Sequence, residues 1–119
     1  MNESEYAARI ANVRARFASK LVDKIAETEA ALTQLTGGGS DAVEAVAAAY
    51  RRFHDVCGIG GSIGFQATGQ SARILDTILL EAFRDHRALS EDELAKLTAG
   101  LKTLQIVARN EIQSMEPAS

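Results

Sequence analysis

No proline occurs between Met1 and Glu116, and the only one, Pro117, stands almost at the end of a 119-residue chain. Inside a helix a proline costs about 3 kcal/mol, through a lost hydrogen bond and a ring clash. Nothing of that kind stops a helix here before position 117. Alanine, the strongest helix former, supplies 21 residues, whereas aromatic residues are 5% of the chain and tryptophan is absent. Sandwiches and barrels need β-branched and aromatic strands punctuated by frequent turns. The expectation is therefore an all-α protein.

Apolar stripes divide the chain into four helical stretches. Ile10, Val13, Phe17, Leu21, Ile25, Leu32 and Leu35 recur at steps of three, four or seven, one face of a helix. That helix runs from about Glu3 to Leu35, or breaks once near Ser19, and it ends at the flexible triplet Gly37-Gly38-Gly39. A second helix restarts at Ser40 or Asp41, where Asp41 and Glu44 read as a capping box, and its stripe is Val43, Val46, Tyr50, Phe53 and Cys57. A third opens near Gly64, carries Phe65, Thr68, Ala72, Leu75, Leu79, Ala82 and Phe83, and dissolves into the polar run Arg84–Arg87. The fourth begins at the capping box Ser90-x-x-Glu93, followed by Leu94, Leu97, Leu101, Leu104, Ala108, Ile112 and Met115. Short connections between amphipathic helices predict one antiparallel four-helix bundle spanning residues 1–119 as a single domain. At 46% apolar and 24% charged residues the composition is globular, and the length suits one core, not two.

Several function classes fall away. A net charge of −3 lacks the basic footprint of a general nucleic-acid binder. No apolar run approaches the roughly 20 residues of a membrane span, and the charged N-terminal stretch has no signal-peptide core. The lone Cys57 has no partner for an internal disulfide, which fits a reducing cytoplasm. Neither His-x-x-x-His nor Cys-x-x-Cys spacing occurs, so no metal site is expected. The glycine-rich segment lacks Gly-Lys-Ser/Thr and follows a helix, so it is not a phosphate-binding loop, and neither Ser62 nor Ser71 sits in a nucleophile elbow.

One anomaly remains. Five of nine glycines fall within twelve residues: Gly58, Gly60, Gly61, Gly64 and Gly69. A turn near Gly60-Gly61 accounts for those two. Gly58 lies where the second helix should still run, at a cost of about 1 kcal/mol against alanine. His54 supplies a reason. It points about 100° away from Phe53, toward the edge of the buried stripe, and Gly58 lies one turn later on the same face. A larger side chain at 58 would shade the imidazole. The alternatives are a boundary histidine with no special role and, for Cys57, a small buried thiol.

The run His54-Asp55-Val56-Cys57-Gly58-Ile59-Gly60-Gly61-Ser62-Ile63-Gly64-Phe65 resembles the signature of histidine phosphotransfer (Hpt) domains. In that family a histidine is followed by an aliphatic residue two on, a glycine four on, and a glycine-aliphatic or glycine-aromatic pair about ten on. Val56, Gly58, Gly64 and Phe65 fill those places, and the four-helix layout extends the likeness over most of the chain. The resemblance implies a phosphorelay intermediate in two-component signalling. His54 would accept a phosphoryl group from a receiver-domain phosphoaspartate and pass it to another receiver. Attack requires an unprotonated ring nitrogen, here Nε2. No cofactor of its own is implied, since Mg²⁺ and the acidic pocket belong to the partner. The partners implied are receiver domains of response regulators and hybrid histidine kinases.

The family often places Glu or Gln about twenty-two residues after the histidine to hold its ring. Asp76 occupies that place, with Gln70 or Gln66 as substitutes, on a polar face that also includes Gly69 and Arg73. Many members carry Lys three residues after the histidine, whereas this chain has Cys57. Positive charge then falls to Arg51, Arg52 or Arg73. Receiver docking is expected around Ala47, Arg51, Asp55, Gly58 and Gly61, with Ile59 or Ile63 as apolar contacts. Two rivals predict different behaviour: a helical adaptor in which His54 is incidental, and a degenerate module that docks receivers without accepting phosphate. Heptad-like stripes on the first and fourth helices leave dimerisation open.

Overall fold

The computed structural model describes residues 2–115 and contains four helices: α1 (Glu3–Ala30), α2 (Gly39–Gly60), α3 (Gln66–Arg84) and α4 (Glu91–Met115). Short 3-10 turns occupy Leu32–Gln34 and Gly61–Ile63, and no strand occurs among the described residues. One core gathers Leu21, Ile25 and Leu35 with Val46, Phe53 and Val56 of α2, Leu75 and Leu79 of α3, and Leu97, Leu101 and Leu104 of α4. Each such side chain contributes about 1.5–3 kcal/mol by leaving water.

Local chemistry sets the helix ends, sometimes differently from the sequence expectation. The Asn2 side chain caps α1, accepting from the Glu5 backbone N–H at 2.8 Å. The helix runs unbroken past Ser19 and stops at Ala30, not Leu35, because the chain tightens into the 3-10 turn that carries Leu35 into the core. The α2–α3 turn reaches α1 at Arg14 and Phe17, whereas Val13, expected in the core, is 41% exposed and Tyr6 62% exposed. The expected Asp41–Glu44 capping box does not form. Helix α2 starts earlier, at Gly39 with φ +79°, after the extended Gly38, and no side chain caps it. Asp41 instead lies in the first turn, where its charge faces the positive end of the helix dipole.

The buried stripe of α2 is Ala42, Val46, Ala49, Phe53, Val56 and Gly60. It is rotated slightly from the predicted one, so Val43 and Cys57 are half-buried at its edge. Small residues inside this stripe let α2 lie close to its neighbours. A Cβ at Gly60 would come within 3.1 Å of the Phe65 carbonyl oxygen and 3.5 Å of the Gly69 Cα. Phe65 and Phe17 pack ring to ring at 4.8 Å beside this contact. The turn itself falls at Gly64, with φ +97°, a left-handed conformation that glycine takes without strain.

The capping box at Ser90 forms as its sequence predicts. Ser90 Oγ accepts from the Glu93 N–H at 3.1 Å, and Glu93 accepts from the Ser90 N–H at 2.9 Å. Arg87 grips the same carboxylate through two hydrogen bonds of 2.8 and 3.1 Å, and the pair, with help from Ser90, pulls the Glu93 pKa down to about 2. Helix α3 has no capping side chain of its own. Glu111 of α4 serves instead, accepting from the backbone N–H groups of Ala67 at 3.1 Å and Thr68 at 2.6 Å. Two further bonds join the connections. Leu89 N–H donates to the Leu35 carbonyl at 2.9 Å, and Arg14 Nε donates to the Ile63 carbonyl at 2.8 Å. No described helix is long and apolar enough to cross a membrane.

Candidate functional site

Phe53 is fully buried and fixes the rotation of α2, which leaves the next residue, His54, on the outer edge with its side chain 61% exposed. The ring is held from one side. His54 Nδ1 lies 3.2 Å from Asp76 Oδ1 on α3, and the Asp76 side chain is only 17% exposed. A carboxylate oxygen only accepts, so Nδ1–H is the donor in this contact, and Nε2 is the ring nitrogen left without a protein partner. Of the residues expected to hold the ring, Asp76 is the one that lies against it.

Tyr50, one turn earlier on α2, adds a second restraint. Its ring stacks on His54 at 5.3 Å between centroids and on Phe83 at 4.3 Å, and its hydroxyl oxygen lies 3.4 Å from Nδ1. The apolar stripe alone places Tyr50 only in the core. Its i, i+4 spacing from His54 is the signal that points to the site. Gly58 lies one turn beyond the histidine, exposed, and a Cβ there would meet nothing within 4 Å. Gly61 is equally open. Ala47, two turns before His54, is half-buried.

The three candidate cations separate. Arg52 turns away toward α1, pairing with Glu27 at 3.3 Å and donating to Thr28 Oγ1 at 3.3 Å. Arg51 lies over the Phe83 ring, 5.8 Å from its centroid. Arg73 is exposed on α3 and lines a hollow of about 230 Å³ with Cys57, Gly61, Gln66, Gly69 and Gln70. Gln66 and Gln70 thus gather around Cys57, not around the histidine ring, whose contact on α3 is Asp76. On the other side of α2, Asp55 and Ile59 line a groove against α1 of about 340 Å³. Its floor includes Val13, Phe17 and Ile63, and Arg16, Lys20 and Lys24 stand around it. Ile59 is half exposed there. Among the described residues no group of three or more His, Cys, Asp and Glu side chains gathers to hold a metal.

Chemically, the arrangement presents an exposed imidazole whose ring is held by a carboxylate at Nδ1 and by an aromatic stack. Comparison with protein-family models, curated proteins and solved structures gives no match to this chain.

Proposed function

We propose that this protein is a phosphorelay intermediate of the histidine phosphotransfer type, with His54 as phosphoacceptor. The observation that carries the reading is the Nδ1–Asp76 contact at 3.2 Å on a ring that is otherwise exposed. It leaves Nε2 as the nucleophile. The Nε2 lone pair attacks the phosphorus of a receiver's phosphoaspartate, the N–P bond forms, and the P–O bond breaks with its electron pair leaving on the receiver carboxylate. The ring keeps its Nδ1 proton and so becomes cationic, and Asp76 balances that charge. Reversal toward a second receiver returns the ring to its starting state. The chain is then a covalent carrier and not an enzyme, and the receiver brings the Mg²⁺ on which its own aspartate chemistry depends.

The connections support an antiparallel bundle within this reading. The Leu89–Leu35 bond joins the α1–α2 and α3–α4 connections, while the α2–α3 turn is tied to α1 at Arg14. Receiver docking on the open side around Gly58, Gly61 and Asp55 is supported by the neighbouring groove, whose apolar floor at Ile59 and basic residues suit an acidic, partly apolar face. Cytoplasmic residence belongs to the same reading, since receivers act there.

The test is phosphoryl transfer from phosphorylated receiver domains to the wild-type protein and to His54→Gln. Label confined to the wild type, labile in acid and stable in base, is the expected result. Equal label in both proteins moves the site elsewhere. Receiver binding without label identifies a docking module, and neither binding nor label leaves a helical adaptor.

A further inference from the structure

The geometry points to Arg73 as the cation that meets the phosphoryl group on His54, a role taken across the helix pair because Cys57 stands where a lysine would supply it from α2. The inference rests on His54 being the acceptor.

Asp76 touches the His54 ring, so α3 crosses α2 at that level. One turn forward from His54 along α2 lies Cys57, and one turn back from Asp76 along α3 lies Arg73. These two residues line the same hollow of about 230 Å³, so the helices bring the thiol and the guanidinium together one turn along from the His54–Asp76 contact. Cys57 is half-buried and too short to project from this hollow, whereas Arg73 is exposed and has length to spare. Of the other two candidates, Arg52 is held by Glu27 and Thr28 on the α1 side, and Arg51 lies over Phe83, the ring of the aromatic stack separated from His54 by Tyr50. Gln66 and Gln70 add amide donors to the same hollow. A planar guanidinium offers paired N–H donors that match phosphoryl oxygens, and it stays charged at any working pH.

During transfer the three phosphoryl oxygens hold their negative charge while the N–P bond forms and the bond to the leaving group breaks. Arg73 stabilises that charge and neither gains nor loses a proton. Its contribution lies in an exposed site and is therefore screened by salt.

The experiment uses phosphoramidate, a small donor that loses ammonia as its phosphoryl group moves to histidine, so receiver docking plays no part. Wild type, Arg73→Ala, Arg73→Lys, Arg51→Ala, His54→Gln and the double variant Arg73→Ala/Cys57→Lys are compared by the initial rate of phosphohistidine formation. Thermal unfolding confirms that each variant is folded. Arg73→Ala should load about tenfold more slowly at low salt, with the gap narrowing at high salt. Arg73→Lys should retain most of the rate, and adding Cys57→Lys to Arg73→Ala should restore it. Loading of Arg73→Ala at the wild-type rate overturns the inference while leaving His54 as acceptor. A loss confined to Arg51→Ala overturns it in favour of that residue. If His54→Gln loads as well as wild type, or if wild type takes no label, the carrier reading fails and the inference falls with it.

Discussion

Gly58→Ala should make the protein more stable and less active at once. The residue lies in the last turn of α2, with helical residues before it and a 3-10 turn after Gly60. An added Cβ meets no atom within 4 Å, so there is no clash to set against the helix-propensity gain. That gain is about 0.5–1 kcal/mol, which for a domain of this size corresponds to a rise of roughly 2–5 °C in Tm. The same methyl group stands one turn from His54, on the side where the proposed function has a receiver approach, so receiver-dependent labelling of His54 should fall, and fall further with Gly58→Leu. Gly60→Ala is the counterpart. Its Cβ would press on the Phe65 carbonyl oxygen at 3.1 Å, a backbone atom that cannot swing aside. It should lose about 1–3 kcal/mol. Urea unfolding of the two variants beside wild type measures both effects. A lower midpoint for Gly58→Ala would refute the claim that the position is open, and an unchanged labelling rate would refute the claim that its openness serves access to the histidine.

Asp76→Ala should slow labelling of His54 about tenfold, roughly 1.4 kcal/mol of barrier, with little change in Tm, because it frees the ring without emptying the core. Glu111→Ala removes the acceptor for two N–H groups at the start of α3 and should cost about 1–2 kcal/mol in urea unfolding. Glu93 is held at about 2 in the folded protein against an ordinary 4.5. A depressed carboxylate stabilises the fold fully above pH 4.5, and this contribution is lost as the pH falls toward 2. The shift is worth at most about 3 kcal/mol, reduced to about 1–2 by the solvent around the 38%-exposed Arg87 side chain. Glu93→Gln should therefore lower stability at pH 7 and flatten the acid limb of a stability–pH curve.

Local signals are legible in the chain, and long-range ones are not. The Ser90–Glu93 box lies within four consecutive residues and forms in both directions. The Asp41–Glu44 pair has nearly the same spelling but fails, because the flexible glycines before it let the helix begin at Gly39. Stripe phase is legible only to within one position. Ala42, Ala49 and Val56 are buried where Val43, Tyr50 and Cys57 were expected, a small rotation of the helix about its axis that the hydropathy pattern does not resolve. Asp76 is legible at the site only through the family resemblance. The capping of α3 by Glu111 spans more than forty residues, and nothing near either end announces it. Thr28 is buried yet satisfied, its hydroxyl donating to the Lys24 carbonyl at 2.8 Å, which polarity alone would place outside.

The bonds of α1 bear on how the molecule breathes. Arg14 and Phe17 fasten this helix to the α2–α3 turn, whereas the histidine, its carboxylate and its aromatic stack belong wholly to α2 and α3. Tyr6 and Val13 stay exposed on the first turns of α1, so fraying from that end uncovers little new apolar surface. Hydrogen exchange should then be graded along the chain, with the amides of the first turns of α1 exchanging long before those around Phe53 and Leu75. A chain frayed in this way would still carry its imidazole beside Asp76. The histidine site and the start of α1 would open on separate clocks.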